Sequence, residues 1–297
     1  MYDFFPPDEN ELISIIGETL NDIDTVQSVQ VIQSGWTNIT MDVKAKAFDY
    51  IFRFPRNLFF AKMMVKDCIF CQFLHGKVSL NIPNMQLKMN KNRPFSMHQK
   101  IKGTSLLSQM DNLSFSQQSN IVRELSIFLK ELHALPIDTM PKDIKETLGE
   151  FLDCLASVHE GDYDFAYHDV LRKMENQSHN LRIVHGDFHP GNILIDEGRV
   201  SGIIDFSFAS ISDVHADLGR FMGRSNQFWG NALVHAYQEI TETSCDLKKV
   251  YDVANVFHYV EYKYVQYMQS YHPEINIPQS VLQAAASNAE KFASKKI

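Results

Sequence analysis

Three polar side chains in one short stretch of the sequence have the types and the spacing that phosphoryl transfer needs. Asp187 is followed five residues later by Asn192, and Asp205 lies thirteen residues further on. A carboxylate that orients an attacking hydroxyl, with an amide oxygen and a second carboxylate that hold Mg²⁺, supplies the essential parts of such a site. The D-x-x-x-x-N spacing with a later D-F is the pattern of a kinase catalytic loop and metal loop. The sequence therefore predicts Asp187 as the catalytic base and Asn192 and Asp205 as metal ligands.

Short apolar runs flank these residues and predict strands whose connecting turns present the polar side chains. The runs cover residues 181–184, 193–195 and 200–204. Gly186 and Gly191 are predicted to allow unusual backbone torsions in a tight loop. His185 is expected to bond neighbouring backbone. His189 is expected either to reach substrate or phosphate, or to be a solvated loop residue.

The remaining periodicity predicts an α+β protein with a small β-rich lobe, residues 1–103, and a larger, mostly α-helical lobe, residues 104–297. In the first lobe, strands are predicted over 27–34, 39–45, 48–54, 84–89 and 95–102, and helices over 8–20 and 61–74. In the second lobe, helices are predicted over 116–135, 143–157, 165–179, 214–223, 227–241, 247–271 and 278–293.

The net charge of −8 argues against non-specific binding to nucleic acid or to anionic lipid. It is unevenly distributed: residues 1–103 carry 12 Lys/Arg against 10 Asp/Glu, whereas the rest carries 16 against 26. Seven carboxylates without a Lys or Arg between them lie in one stretch, namely Glu146, Glu150, Asp153, Glu160, Asp162, Asp164 and Asp169. This acidic stretch is either a solvated helix face or a cleft wall that attracts a cation.

The four cysteines are too few and too scattered for a disulfide framework, and Cys68 and Cys71 have no second pair to complete a zinc site. The acidic, proline-broken start is unlike a signal peptide, and no run of 18 apolar residues predicts a membrane span. We therefore expect a cytoplasmic protein without a membrane or nucleic-acid partner, and a monomer rather than an oligomer.

Residues 184–218 resemble the aminoglycoside phosphotransferase superfamily, small-molecule kinases with a protein-kinase-like fold. The family pattern H-G-D-x-x-x-x-N, then I-D-F/W, then D-x-x-x-D is matched here from His185 to Asn192, at 204–206 and at 213–217. The resemblance implies a two-lobe kinase fold, Mg²⁺, ATP or GTP as phosphoryl donor, and a small hydroxyl acceptor. Residues 53–56, 132–137 and 199–205 are similar to macrolide phosphotransferases. The strand and the K-I-K-G hinge resemble aminoglycoside enzymes that modify a double-primed ring.

The resemblance also implies a nucleotide site. The loop 34–40 resembles a phosphate loop with one glycine, and residues 99–103 resemble the hinge that meets the base. The residues assigned to nucleotide binding are Ser34, Gly35, Thr37, Asn38, Arg53, Gln99 and Ile101. Arg53 stands where kinases carry a Lys, and Asp67 where they carry the partner Glu; alternatively Arg56 or Lys62 grips the phosphates. Asp217 is expected to cap or brace the loop.

The resemblance implies an antibiotic of the aminoglycoside or macrolide type as substrate, and the acidic stretch favours a cation. The residues assigned to substrate binding are His189, Glu160, Asp162, Asp164 and Glu261. Glu261 lies among tyrosines whose helical spacing is usually that of packing; the alternative is an aromatic and acidic wall of the acceptor site. The alternatives are a metabolic kinase of choline, homoserine or a sugar amine, and a degraded kinase that only binds nucleotide.

Overall fold

The computed structural model describes residues 8–20, 26–32, 37–147 and 181–255, with positions 279, 282–283 and 286–287. Within these residues the protein combines an antiparallel sheet with α-helices, so the predicted α+β class is confirmed. The predicted helix over 165–179 lies outside the described residues, as do most of 278–293 and the end of 247–271. Across this described part, no helix is both long and apolar enough to cross a membrane.

A five-stranded antiparallel sheet forms the first part of the protein. Its strands are β1 (Val26–Ile32), β2 (Asn38–Ala45), β3 (Asp49–Pro55), β4 (Gln86–Asn90) and β5 (Arg93–Gln99), in the spatial order β1-β2-β3-β5-β4. The sequence predicted all five. The strand predicted over 95–102 ends at Gln99, because the chain leaves the sheet after Lys100 N–H donates to the Asp49 carbonyl oxygen (2.8 Å).

Helix α1 (Glu9–Thr19) covers one face of this sheet, and Asp8 caps it by accepting from the backbone N–H of Glu11 (2.8 Å). Its apolar side packs against the aromatic side chains of β3 and β5 in a small buried core. Successive side chains of a strand point to opposite faces. Phe52 and Phe54 therefore face α1, and Arg53 between them faces the opposite side, toward helix α2 (Leu58–Leu74).

A second, larger core joins α2 to the rest of the protein. It contains α4 (Phe115–His133), α5 (His215–Arg224) and α6 (Gln227–Thr241), and α3 (Leu106–Gln109) packs at its edge. Phe70 of α2 stacks on Phe206 at a ring-centroid distance of 5.7 Å. The larger core thus contains residues from both sides of Gly103. A lobe boundary at Gly103 stays a prediction.

Short strands carry the catalytic segment. They are β7 (Arg182–Val184), β8 (Ile193–Asp196), β9 (Arg199–Ile203) and β10 (Ser210–Ser212), with β6 (Thr104–Ser105) beside β8. β6, β10 and α3 were not predicted, because they are too short to show a period in the sequence. The helix predicted over 143–157 is wrong at its start: residues 142–144 form one 3-10 turn, and Thr147 bridges to Ile211 because Glu146 accepts the Ile211 backbone N–H (2.8 Å).

Candidate active site

Asp187 lies in the loop that follows β7, and both of its carboxylate oxygens are engaged. Oδ1 accepts from Nε of Arg220 (2.6 Å), and Oδ2 accepts from Nδ2 of Asn192 (3.1 Å). Burial works to raise the pKa of the Asp187 carboxyl, but Arg220 and His189 outweigh it and hold the pKa below its usual range. Asp187 is therefore an ionised, oriented carboxylate at the centre of the site.

Asn192 and Asp205 lie beside each other because the backbone N–H of Ile204 donates to the carbonyl oxygen of Asn192 (3.0 Å). The Asn192 amide also donates to the Asp187 carbonyl oxygen (3.0 Å), so both donations come from Nδ2 and Oδ1 is left as an acceptor. Asp205 has a φ of 66°, a region that few non-glycine residues adopt, and the Ser207 hydroxyl donates to its Oδ1 (2.7 Å).

These two side chains fit Mg²⁺. The ion prefers hard oxygen ligands and usually takes only one or two carboxylates, the rest being water and phosphate oxygens. One amide oxygen and one carboxylate are such a set. The described residues contain no cluster of three or more His, Cys, Asp or Glu that would hold a metal ion unaided. A metal here would thus depend on a phosphate-bearing partner.

Asp217 fixes the backbone of the catalytic loop. It is fully buried on α5 and accepts from the backbone N–H groups of His185 and Gly186 (both 2.9 Å). His133 donates to the same carboxylate from Nε2 (3.1 Å), and its Nδ1 accepts from the Tyr237 hydroxyl (2.9 Å). This chain of hydrogen bonds links α4, α5 and α6 to the loop and supports the predicted bracing role.

Gly186 needs the freedom that the sequence analysis predicted. Its φ is 78°, and a Cβ there would lie 2.1 Å from the Phe208 carbonyl oxygen. Gly191 does not have a positive φ, but a Cβ at this position would lie only 2.6 Å from the His189 ring. The tight packing of the loop, rather than its torsion, thus excludes a side chain at 191.

The two loop histidines contact protein rather than solvent. His185 is fully buried; its Nδ1 accepts from Asp187 N–H (3.3 Å), and its Nε2 donates to the Ile204 carbonyl oxygen (3.2 Å). His189 accepts from Gly191 N–H through Nδ1 (3.0 Å), and its Nε2 lies 3.5 Å from Oδ2 of Asp187. Burial lowers the pKa of His189 against the pull of Asp187. The alternative of a solvated loop residue is wrong, and a direct contact with substrate stays a prediction.

Arg53 of β3 and Asp67 of α2 form an ion pair on the face of the sheet opposite α1. Asp67 is fully buried and also accepts the backbone N–H of Phe206 (3.0 Å), so it ties α2 to the residue after Asp205. Burial acts to lower the pKa of Arg53, but Asp67 and Asp205 raise it above its usual value, so the guanidinium stays charged. Of the alternative cations, Lys62 is exposed on α2.

The other residues predicted to bind nucleotide are described only in part, because Ser34 and Gly35 lie outside the described residues. Asn38 is buried at the start of β2 and donates to the Thr37 hydroxyl (2.9 Å). Its Oδ1 has no hydrogen-bond partner among the described residues. Gln99 is exposed at the end of β5, and Ile101 is half-buried just beyond it. Their roles in binding a base stay predictions.

His98 is a buried residue at this hinge that the sequence analysis missed. Its ring bonds to the Gln99 carbonyl oxygen through Nδ1 (2.8 Å), so Nδ1 carries the proton. Burial lowers the pKa of His98 to about 4; the charge of Arg53 acts in the same direction, and the hydrogen bond to Gln99 opposes both. The ring is therefore neutral at physiological pH. In the sequence, the only indication of a role for His98 was its position directly before the predicted hinge, residues 99–103.

The acidic stretch is described only at its start. Glu146 accepts from Nζ of the buried Lys66 (2.5 Å), so one of the seven carboxylates is already paired. The bridge from Thr147 to Ile211 places this start beside β10, which in turn pairs with β7, the strand that leads to Asp187. The remaining predicted wall residues, Glu160, Asp162, Asp164 and Glu261, lie outside the described residues.

Comparison with known proteins identifies a family whose model matches most of this chain. A family model described as the phosphotransferase enzyme family matches residues 28–246. The aminoglycoside 3′-phosphotransferase of Salmonella typhimurium is 24% identical over 144 residues, which cover 44% of this chain and 53% of that protein. The chain thus spans about half the length of the curated relative that it matches.

Solved structures share the fold over nearly the whole chain. The GDP and kanamycin complex of APH(2″)-IIia has a TM-score of 0.73 at 21% identity and covers 97% of this chain and 100% of that one. The apoenzyme of macrolide 2′-phosphotransferase MphH from Brachybacterium faecium has a TM-score of 0.65 at 15% identity and covers 94% and 98%. At these identities the likeness shows the fold alone, and the predicted kinase-like fold is confirmed.

Proposed function

Because this chain belongs to the phosphotransferase enzyme family, we propose that it transfers the terminal phosphoryl group of a nucleoside triphosphate to a hydroxyl of an aminoglycoside or macrolide antibiotic. We also propose that the protein is cytoplasmic, where nucleoside triphosphates are available, and that it is a monomer. We further propose residues 1–103 as the nucleotide lobe and 104–297 as the catalytic and substrate-binding lobe.

The observation that carries this proposal is the contact of Asp187 with Asn192 next to Asp205. The base of a phosphoryl transfer must lie within reach of the transferred group, and that group is held by the metal site. A single side-chain hydrogen bond of 3.1 Å joins the proposed base to a proposed metal ligand. The intact Arg53–Asp67 pair argues against a degraded kinase, because it keeps a fixed cation beside Asp205.

Each residue has a separate task in the proposed reaction. Asp187 accepts a hydrogen bond from the acceptor hydroxyl, aims its oxygen and takes its proton late, as a carboxylate of low pKa does in a loose transition state. Arg53, held by Asp67, contacts phosphate oxygens of the donor, and the proposed phosphate-binding residues of the loop are Ser34, Gly35, Thr37 and Asn38. Gln99 and Ile101 present backbone groups to the base.

Asn192 and Asp205 would hold Mg²⁺ through Oδ1 and the carboxylate respectively. When bound, the ion neutralises charge on the donor phosphates. The Ser207 hydroxyl donates to Oδ1 of Asp205, and the Asn192 amide is oriented by its donation to Asp187. The protein thereby fixes the direction of both ligand oxygens before the donor arrives.

Asp205→Ala is expected to weaken binding of the Mg²⁺ nucleotide by at least roughly tenfold and to lower kcat as well, since the loss of even an outer-shell partner has that cost. Because alanine tolerates the φ of 66° poorly, Asp205→Asn is the cleaner variant. Fluorescent-nucleotide titration at several Mg²⁺ concentrations measures the effect, with Asp196→Asn, an exposed carboxylate at the end of β8, as the control. Unchanged affinity at low Mg²⁺ would assign Asp205 a structural role.

The charge that the protein presents to the acceptor decides which class of substrate it attracts. Arg220 already neutralises Asp187, so a cationic substrate gains little attraction from the base itself, and the acidic stretch has to supply it. Such a field is screened over about 8 Å at physiological ionic strength. We expect Glu160→Gln, Asp162→Asn and Asp164→Asn together to raise the acceptor KM much more than they lower kcat, because these groups bind substrate and transition state alike.

Steady-state kinetics over a range of salt concentrations measures this effect. KM for a polycationic aminoglycoside should rise steeply with salt, and KM for a singly charged macrolide only weakly. The matched control neutralises three exposed carboxylates elsewhere, by Glu9→Gln, Glu18→Gln and Asp111→Asn. A salt-independent KM together with an unaffected triple variant would return the acidic stretch to a solvated helix face.

A substrate panel tests the proposed function as a whole. Nucleotide consumption and product mass are measured with aminoglycosides, macrolides, choline and homoserine, each with ATP and with GTP. Phosphorylation of an aminoglycoside or macrolide at far higher kcat/KM than the others is the expected result. Preference for choline or homoserine would make the protein a metabolic kinase.

A further inference from the structure

A buried arginine contacts the proposed base from the side of α5. Arg220 is 9% exposed, and its Nε donates to Oδ1 of Asp187 at 2.6 Å. On the basis of the proposed function, we infer that Arg220 is a positioning residue that fixes the plane of the Asp187 carboxylate and thereby the direction in which the acceptor hydroxyl is held. Nothing in the catalytic-loop pattern itself specifies this residue.

An aspartate carboxylate can rotate about its terminal torsion. Its terminal torsion is broad, so a single hydrogen bond leaves the plane able to rotate. Here Arg220 holds Oδ1 and Asn192 holds Oδ2 (3.1 Å), so donors on both oxygens fix the plane. Each carboxylate oxygen accepts about two hydrogen bonds. The carboxylate therefore keeps capacity to accept from a substrate hydroxyl in a set direction.

The helix that carries Arg220 is itself fixed to the loop. Asp217 and Arg220 are three residues apart on α5 and so lie on one face. Asp217 holds the backbone of the loop just before Asp187, and Arg220 holds the side chain. One rigid helix thus sets both the position of the loop and the orientation of its carboxylate, which is the supporting geometry that a base needs.

Arginine suits this contact better than lysine. The guanidinium is planar and stays charged, and a charge-assisted N–H···O bond of 2.6 Å has a defined direction. A lysine ammonium is a point charge on a flexible stem and does not fix a carboxylate plane. A lysine at position 220 restores the positive charge but not the planar guanidinium, so it should restore the reaction only in part.

The experiment compares Arg220→Gln, Arg220→Lys and Arg220→Ala in the full chain. We expect Arg220→Gln to lower kcat by roughly 10- to 100-fold, the cost of a misplaced reacting group, with the nucleotide KM nearly unchanged. Arg220→Lys should recover part of kcat, and guanidinium ions should restore Arg220→Ala where ammonium ions do not. Arg199→Gln, which removes an exposed arginine, is the control.

Two results would overturn the inference: a kcat of folded Arg220→Gln close to the wild-type value, or a crystal structure of that variant with an unchanged Asp187 carboxylate. The second readout does not depend on any acceptor. An inactive wild-type protein would contradict the proposed function, and the crystal structure would still decide the role of Arg220. If Arg220→Gln fails to fold, Arg220→Lys provides both readouts.

Discussion

Replacement of Asp187 by asparagine is expected to lower phosphoryl transfer by about 10²- to 10⁴-fold, the typical contribution of a general base. Asparagine keeps the size of the side chain but carries no charge and cannot take the proton of the acceptor. The structure adds a second effect. One end of the new amide is an NH₂ group, which would face either Arg220 Nε or Asn192 Nδ2, so a donor meets a donor.

Nucleotide affinity separates these effects. We expect it to stay within a few-fold of the wild-type value, because Asp187 does not contact the donor in the proposed reaction. Thermal melting of Asp187→Asn shows whether the loss of the Arg220 partner affects folding, and the double variant Asp187→Asn/Arg220→Gln should melt closer to the wild type. Asp196→Asn is the control for removing a carboxylate. Transfer rates near those of the wild type would mean that the base is assigned wrongly.

Asp217→Ala is expected to have the largest effect on stability. The carboxylate is fully buried and accepts three hydrogen bonds, from two backbone N–H groups of the catalytic loop and from the His133 ring. Alanine leaves all three donors buried without their acceptor. Breaking a buried charged interaction in this way costs about 3–5 kcal/mol of the free energy of unfolding. Urea denaturation followed by circular dichroism measures it.

An exposed ion pair provides the matched control. Lys248 and Asp252 lie one helical turn apart at the surface, where solvent screens the pair, so its loss changes the free energy of unfolding little. Asp252→Ala should therefore unfold at nearly the wild-type urea concentration. An Asp217→Ala variant as stable as Asp252→Ala would mean that another element holds the catalytic loop.

The strands and long helices were predictable because their patterns are local. Apolar alternation in β1 to β3 and the helical period of α4 need no knowledge of the fold. The constellation of Asp187, Asn192 and Asp205 was predictable for the same reason, since one short segment carries all three. Contacts between residues far apart in the chain could not be predicted in this way, because they depend on how the elements pack.

Arg220 and His133 could not be assigned from the sequence, because their partners lie 33 and 84 residues away in the chain. For Arg220, the spacing of three residues after Asp217 was a signal, but only the packing of α5 against the loop shows what that face contacts. The start of the 143–157 helix failed for a related reason. The backbone oxygen of Glu146 accepts from Ile211, and this tertiary pairing overrides a local helical pattern.

Phosphorus NMR of the complete reaction follows the transferred phosphoryl group itself. Purified protein is mixed with Mg²⁺, ATP or GTP, and an accepted aminoglycoside or macrolide. We expect a new phosphomonoester signal on the antibiotic in equal amount to the nucleoside diphosphate formed, and no such signal over the same time with Asp187→Asn. Release of inorganic phosphate alone, or no consumption of either nucleotide with any acceptor, would contradict it.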